Sequence, residues 1–262
     1  MGILNVTPDS FADGGMHNSL PAAMNRVQEM ISEGVDIIDV GGESTRPGAA
    51  RITEAEELLR TIPVIEAIAK SFPEVTISID TTRANVAQKA LNAGAKIIND
   101  VSGGLADPKM AEVVANSGVK YVVMHWRGSS DTMQSKAIYE DVNSEVIAEL
   151  LGRVASLKIS GVLENQIILD PGLGFAKLPE HNWEIIKNLE MFTNLGFPIL
   201  IGASRKRFLG EELSPIDRED ASIAITSLCA KNKIWGVRTH SVKNHKMAID
   251  IVDQSNSESE TI

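Results

Sequence analysis

The sequence predicts an α/β protein with a single domain, a TIM (β/α)8 barrel that spans residues 1–252. Eight short apolar runs recur along the chain, helical patterns lie between them, and 262 residues suit one barrel of about 250 residues. The runs are apolar throughout rather than alternating, which is typical of parallel strands buried on both faces. A doubly wound open sheet is the structural alternative, but it rarely needs eight strands, and its GxGxxG turn is absent from the sequence.

The strands are placed on these apolar runs, which are rich in Ile and Val and break off at a small or polar residue. The predicted strands are Gly2–Asn5, Asp36–Val40, Val75–Asp80, Lys96–Asp100, Val119–His125, Gln166–Asp170, Pro198–Ser204 and Trp235–His240.

Helical patterns separate the strands, and this alternation predicts right-handed βαβ units. The predicted helices are Leu20–Glu33, Thr53–Ser71, Arg83–Ala93, Pro108–Ser117, Val142–Ile159, Asn182–Leu195 and Glu219–Lys231. Ser19 is the expected N-cap of the first helix and Thr53 that of the second, where acidic residues suit the positive end of the helix dipole. The polar, acidic segment 253–262 is predicted to be a disordered tail.

The composition limits the kinds of molecule that the protein is expected to bind. With 25 basic and 35 acidic residues the net charge is −10, and aromatic residues make up 4% of the chain, so neither a basic face nor a stacking surface for nucleic acid is expected. An acidic chain also gains nothing at an anionic membrane. The single cysteine, Cys229, excludes an internal disulfide, and the start lacks a signal-peptide pattern, so we expect a cytoplasmic protein with small-molecule substrates.

Almost every predicted strand ends in a side chain that can form hydrogen bonds, at the end of the barrel where chemistry gathers in this fold. Asp80, Asn99 and Asp170 are three of these residues. Two carboxylates and an amide suit a heteroaromatic ring with adjacent donors, such as a pterin or guanine ring. Helix capping remains an alternative for each residue alone, and a divalent metal site or paired acid–base carboxylates remain alternatives for the set.

A second set of strand-end residues is cationic. Arg46 lies in the loop after the second strand, Lys206 follows the seventh, and Arg238 and His240 end the eighth. Residues two apart in a strand point to the same side, here the barrel mouth. Phosphate sites after strands seven and eight are frequent in barrels, so this set predicts an anion site.

The first loop is long, polar and closed by a pair of glycines, which indicates a lid over the barrel mouth. It runs from Asn5 to Gly15 and carries Phe11, an aromatic residue that is not expected to face water without a purpose.

Taken together, the strand-end motifs resemble those of dihydropteroate synthase, in the right order from residue 2 to about 250. The matching segments are Asn5–Phe11, Asp39–Gly48, Ile79–Thr81, Ile98–Asp100, Asp170–Phe175, Ser204–Lys206 and Arg238–His240. The resemblance implies a transferase of folate biosynthesis, a homodimer and sulfonamide target, that uses Mg2+. It implies that 7,8-dihydropterin-6-ylmethyl diphosphate and 4-aminobenzoate are condensed to dihydropteroate and diphosphate.

The resemblance also implies roles for the residues that match. It assigns a pterin pocket to Asp80, Asn99, Met124, Asp170 and Lys206, and the diphosphate to Arg238 and His240. It assigns the aminobenzoate side to Thr45, Arg46, Pro47, Ser204 and Phe11, and contact with Mg2+ and the diphosphate to Asn5. The catalytic groups are then Asp80, Lys206, Arg238 and His240.

We expect an SN1-like displacement, because loss of diphosphate places positive charge on the pterin and negative charge on the leaving group. Two other functions stay open: a methyltetrahydrofolate-dependent methyltransferase and a non-catalytic pterin-binding paralogue. The first has no diphosphate to hold, and the second should have lost a residue such as Lys206 or Arg238. One departure from the family pattern is Ser241, where an Asp is common, so the support of His240 is expected to differ.

Overall fold

Parallel strands and helices alternate along the chain, as a (β/α)8 barrel requires. The computed structural model describes residues 1–7, 15–43, 51–129 and 132–257. The strands are β1 Gly2–Asn5, β2 Ile37–Gly41, β3 Thr76–Asp80, β4 Ile97–Asp100, β5 Lys120–Met124, β6 Ile167–Asp170, β7 Leu200–Ile201 and β8 Gly236–Val237. The helices are α1 Gly15–Ser32, α2 Glu54–Ser71, α3 Ala84–Ala93, α4 Met110–Ser117, α5 Val142–Ile159, α6 Pro179–Lys187, α7 Leu189–Thr193, α8 Arg218–Lys231 and α9 Val242–Ser257.

Single backbone bridges close the ring of strands. The order β1-β2-β3-β4-β5-β6 forms one parallel sheet, and β7 pairs with β8. Parallel bridges join Leu169 to Ile199 and Gly2 to Thr239, so the eighth strand returns to the first. The predicted barrel is therefore confirmed, but β7 and β8 are shorter than the segments 198–204 and 235–240 that the sequence predicted.

The barrel interior consists of layers, because alternate residues of each strand point inwards. Ile97, Val122, Ile168 and Leu200 form a small apolar cluster inside the ring. A larger apolar cluster lies between the strands and the helices. Two residues after members of the inner cluster come Asn99, Met124 and Asp170, so the next layer towards the carboxyl ends carries polar side chains.

The second helix begins as its sequence predicts. The Thr53 side chain accepts a hydrogen bond from the Glu56 amide at 3.2 Å and so caps α2. Glu57, expected among the solvated charges of this helix, is instead 1% exposed and pairs with Arg83 at the start of α3. It lies on the face of α2 that packs on the barrel, where a carboxylate needs a partner.

Three helix predictions were wrong in detail. The first helix begins at Gly15, so Pro21 lies inside it and Ser19 is not its N-cap. The predicted helix 182–195 is divided into α6 and α7 at Asn188, whose side chain binds the Glu184 carbonyl at 2.8 Å. α9 was not predicted, and it continues to Ser257, past the expected start of the tail at Asp253, because polar residues can still form helical backbone hydrogen bonds. Residues 258–262 lie outside the described part.

Candidate active site at the carboxyl ends of the strands

Neighbouring strands bring the predicted site residues side by side in two groups at the carboxyl end of the barrel. Asn5 is level with Gly41, Gly41 with Asp80, and Asp80 with Asn99. On the other side of the ring, Met124 is level with Asp170. The strand-end residues of the ring-binding set therefore share one face, and Asp80, Asn99 and Asp170 are all buried.

Arg238 links the carboxylates inside the mouth. Its Nε donates to Asp39 Oδ2 at 2.6 Å, and one of its terminal nitrogens donates to Asp80 Oδ2 at 2.7 Å. Asn99 donates to the same oxygen of Asp39 at 2.9 Å. The structure thus joins one member of the predicted cationic set to two members of the predicted ring-binding set. Asp39 lies at the centre of this group.

Burial and neighbouring charges have opposite effects on the pKa values of Asp80 and Arg238. Burial raises the pKa of Asp80 to about 7, although the nearby Arg238 charge lowers it. Burial would lower the pKa of Arg238, but Asp39 and Asp80 outweigh that effect, so its pKa is raised and it stays charged. Asp80 therefore gains or loses its proton near neutral pH.

Asp170 and Lys206 form the opposite side of the site. The Asp170 carboxylate accepts a hydrogen bond from the Gly172 amide at 2.7 Å, and burial raises its pKa. Lys206 donates to the Leu173 carbonyl, and its ammonium lies 4.8 Å from the centre of the Phe175 ring. Burial lowers the pKa of Lys206 to about 8, against the opposing charge of Asp170.

Glycines let these groups approach one another. A Cβ on Gly202 would lie 3.9 Å from both Arg238 Cβ and Lys206 Nζ, so the two cations face the same short stretch of backbone. Met124 forms part of the wall, because a Cβ on Gly172 would lie 3.2 Å from its Cγ atom.

Asn5 lies beside Asp80 across Gly41. A Cβ on Gly41 would be 3.7 Å from Asn5 Oδ1 and 3.6 Å from Asp80 Oδ2. Two oxygen atoms thus face the same side of the β1–β3 end. Within the described residues no group of three or more His, Cys, Asp or Glu side chains could hold a metal by itself.

Ser204 and His240 bind each other after β7 and β8. Ser204 Oγ lies 3.0 Å from His240 Nδ1 and accepts from the His240 amide at 3.2 Å. Arg205, which lies between Ser204 and Lys206, has a left-handed backbone with φ of 57° and pairs with Glu219 of α8 at 2.6 Å. Its charge is thereby matched by the outer helix.

Four predicted site residues cannot be located: Phe11, Thr45, Arg46 and Pro47 lie outside the described residues. The flanks of the second of these loops are described. Arg83 donates to Glu43 at 3.0 Å and to the Ile52 carbonyl at 2.7 Å. Glu43 also accepts from the Ile52 amide at 3.1 Å, so both sides of segment 44–50 are held together.

The sequence interpretation gave no role to Asp39 or Lys177. Asp39 is the only acid within the apolar strand Ile37–Gly41 and is fully buried, a position that requires a partner. That signal was available in the sequence. Lys177 is 3% exposed in the loop after β6, and nothing in its sequence neighbourhood marks it.

Comparisons with known proteins agree with this geometry. Residues 1–240 match the family described as pterin binding enzyme. A dihydropteroate synthase of Mycobacterium leprae is 46% identical over 96% of this chain and 91% of its own length. The structure of Yersinia pestis dihydropteroate synthase in a sulfonamide drug complex superposes with a TM-score of 0.92 at 39% identity, covering 98% of this chain and 94% of that one. The Xanthomonas albilineans dihydropteroate synthase structure with 4-aminobenzoic acid gives 0.91 at 37% identity, covering 98% and 92%.

Proposed function

Because the chain belongs to the pterin-binding enzyme family, as a member of its dihydropteroate synthase group, we propose that it condenses 7,8-dihydropterin-6-ylmethyl diphosphate with 4-aminobenzoate. The products are 7,8-dihydropteroate and diphosphate, which makes it a transferase of folate biosynthesis. The observation that carries the proposal is the meeting of buried Asp80 and Asp170 with the cations Arg238 and Lys206 at one end of the barrel.

The pterin ring is assigned to the buried polar layer. Asp80, Asn99 and Asp170 offer carboxylate and amide groups to the ring edges, and Lys206 and Met124 complete the pocket. Carboxylates accept hydrogen bonds from the ring amino and N–H groups, whereas an amide both donates and accepts. The pairing of Asp80 with Asn99 and of Met124 with Asp170 at the carboxyl ends of their strands supports the assignment.

The diphosphate is assigned to Arg238 and His240, and Mg2+ to Asn5. Mg2+ is usually bound through one or two protein oxygens together with substrate phosphates, and keeps several waters. Asn5 Oδ1, facing the same side as Asp80 Oδ2, fits that kind of site better than a site made of protein ligands alone. When bound, Mg2+ neutralises charge on the leaving diphosphate.

The aminobenzoate is assigned to the side formed by Ser204 and by Thr45, Arg46, Pro47 and Phe11. Ser204 is held by His240 at 3.0 Å. The Arg83 contacts with Glu43 and Ile52 support the loop assignment, because they fix the two flanks of the segment that carries Arg46.

The reaction follows from the charges on the two sides of the site. The methylene carbon–oxygen bond breaks, the diphosphate takes the electron pair, and positive charge develops on the electron-rich pterin. Ionised Asp80 favours this cation, while Arg238 and His240 favour the leaving group. The aniline nitrogen then forms the new carbon–nitrogen bond and loses one proton. The amine is already nucleophilic, so no strong general base and no covalent enzyme intermediate are required.

Diphosphate release that depends on 4-aminobenzoate is the test of this function. We expect release in a coupled assay with both substrates and Mg2+, loss on chelation with EDTA, and recovery when Mg2+ is restored. Release without the amine would mean hydrolysis. No release would favour the methyltransferase or the non-catalytic pterin binder. Activity that survives complete chelation would remove Mg2+ from the proposal.

We also propose that the protein is a homodimer, joined through the outer faces of α8 and α9. Leu228, Met247 and Ile251 are large apolar side chains that remain 44%, 57% and 59% exposed on these helices. Sedimentation equilibrium should give twice the chain mass, and Ile251→Glu should give a monomer. Ile159→Glu, at an 89% exposed apolar residue of α5, is the matched control and should stay dimeric.

We propose a cytoplasmic location, because Cys229 is the single cysteine of the chain and a protein with a free thiol and no internal disulfide suits a reducing compartment. The Cys229 thiol is buried, and burial raises its pKa to about 12, so it behaves as an unreactive core residue. No helix among residues 1–7, 15–43, 51–129 and 132–257 is long and apolar enough to cross a membrane.

A further inference from the structure

A buried lysine outside the substrate pocket organises the loop that follows β6. Lys177 is 3% exposed, and its ammonium lies within hydrogen-bond distance of three acceptors. It donates to the Gly172 and Phe175 carbonyls, each at 3.2 Å, and lies 3.0 Å from His125 Nδ1. Burial lowers the pKa of Lys177 to about 7, although the nearby charge of Asp170 raises it. Since a buried ammonium is costly unless its hydrogen bonds are formed, the three contacts favour the protonated form and indicate a specific role.

The neighbours of Lys177 determine which group donates in its hydrogen bond with His125. Burial lowers the pKa of His125 to about 4, so its ring is neutral near pH 7. His125 Nε2 lies 2.9 Å from Glu149, and the hydrogen bond with His125 lowers the pKa of that carboxyl to about 2. The ionised carboxylate accepts a hydrogen bond from Nε2–H, which leaves Nδ1 as an acceptor for Lys177.

The same loop carries the groups that hold Lys206. The Leu173 carbonyl accepts from Lys206, and the Phe175 ring lies under its ammonium at 4.8 Å. Leu173 lies between Gly172 and Phe175 in the chain, and Phe175 itself supplies one of the two carbonyls that Lys177 binds. Other contacts stabilise the loop from outside: Tyr139 donates to the Ala176 carbonyl at 2.9 Å, and Asn182 accepts from the Gly174 amide at 2.6 Å.

We propose that Lys177 is a positioning residue for the pterin pocket: it binds the Gly172 and Phe175 carbonyls and thereby fixes the loop on which Lys206 rests. It touches neither substrate, and it acts through Leu173 and Phe175 on Lys206 and, through the Gly172 amide, on Asp170. This inference rests on the proposed pterin transfer, because it assigns the effect to one of the two substrates.

Lys177→Met keeps the length of the side chain but removes its charge and donors. We expect the KM for the pterin diphosphate to rise about tenfold, because a misplaced Lys206 loses its hydrogen bond to the pterin, and a tenfold change corresponds to one hydrogen bond of a charged group. The KM for 4-aminobenzoate should stay within about twofold, because its proposed side of the site does not include this loop.

Lys120→Met is the matched control. Lys120 also donates to a loop carbonyl, that of Asn165 at 2.6 Å, but it is exposed at the start of β5, at the opposite end of the strand from the site. Both KM values of K120M should equal those of the wild type. Thermal unfolding of each variant distinguishes a local change in the position of the loop from a loss of folded protein.

If K177M does not fold, His125→Leu decides the matter, because leucine has no acceptor for Lys177 and the lysine stays in place. The KM for the pterin diphosphate should then rise less, by about threefold, since the two carbonyl hydrogen bonds of Lys177 remain. Equal changes in both KM values, or no change in the first, would overturn the role of Lys177 while the wild type remains active. An inactive wild type would instead overturn the proposed function.

Discussion

Replacement of Arg238 should show how much of the protein's stability depends on one buried guanidinium group. Arg238→Met breaks hydrogen bonds of 2.6 Å to Asp39 and 2.7 Å to Asp80, and it leaves two buried carboxyl groups without their cation. Loss of one partner from a buried ion pair typically costs about 3–5 kcal/mol of stability. We expect a decrease of that size in the free energy of unfolding at pH 8.

The decrease should become smaller as the pH falls. Asp80 has its pKa raised to about 7 by burial even with Arg238 present, and without that charge the pKa rises further. A carboxyl whose pKa is raised on folding binds more protons when folded, so it reduces stability as pH increases towards the folded pKa. At pH 5.5 the proton neutralises Asp80, and the variant recovers part of the loss.

Urea denaturation at pH 5.5 and pH 8 measures this difference. The control is Lys158→Met, because Lys158 pairs with Glu164 at 2.6 Å on the surface, where the side chains are 49% and 63% exposed, and such pairs contribute about 1 kcal/mol or less. If R238M lost no more stability than K158M at pH 8, or lost equally at both pH values, the interpretation of a charge-bearing buried cluster would be refuted.

Three other predictions concern the site and the helix ends. Asp80→Asn should slow turnover much more than it weakens pterin binding, and equal losses would contradict the action of Asp80 on the ring cation. Wild-type turnover should also fall below a pH of about 7, where Asp80 takes up its proton, and D80N should lack that fall. Gly94→Ala should lower the free energy of unfolding by about 2 kcal/mol, because φ is 122° and the new Cβ would lie 2.7 Å from Ala69 Cβ; an unchanged urea midpoint would contradict this strain. Thr53→Ala should cost about 1 kcal/mol by loss of the bond from the Glu56 amide, whereas Thr53→Ser should be nearly neutral in the same measurement.

The fold was predictable because its signal is local and repeated. The bounds of each strand in the six-stranded sheet agree within two residues with those of a predicted apolar run. The helix ends at Thr53, Gly94 and Gly118 follow from an N-cap side chain and from glycines with positive φ. A proline suits the first turn of a helix, so Pro21 favoured a start near Leu20, but it lies inside α1. The shortness of β7 and β8 depends on how the ring closes, which no local pattern encodes.

The placement of Asp80, Asn99 and Asp170 at the carboxyl ends of the strands was predictable, but their contacts with other residues were not. The strand ends identified Asp80, Asn99 and Asp170, because the fold brings the carboxyl ends together. That Arg238 bridges Asp39 and Asp80, from the other end of the chain, is a tertiary contact that spacing cannot show. Lys177 was missed for the same reason: its partners His125 and Gly172 come from two different strand ends.

The double pairing of Arg238 bears on how a product would leave. A guanidinium without partners would bind diphosphate at full strength and would release it slowly. Arg238 instead has carboxylates at 2.6 Å and 2.7 Å that compete for it, so recruiting it to a phosphate exchanges one set of hydrogen bonds for another. If Arg238 binds the diphosphate as proposed, Asp39 and Asp80 would take the guanidinium back as the product departs, and this would lower the barrier to release, a step that limits the rate of many enzymes.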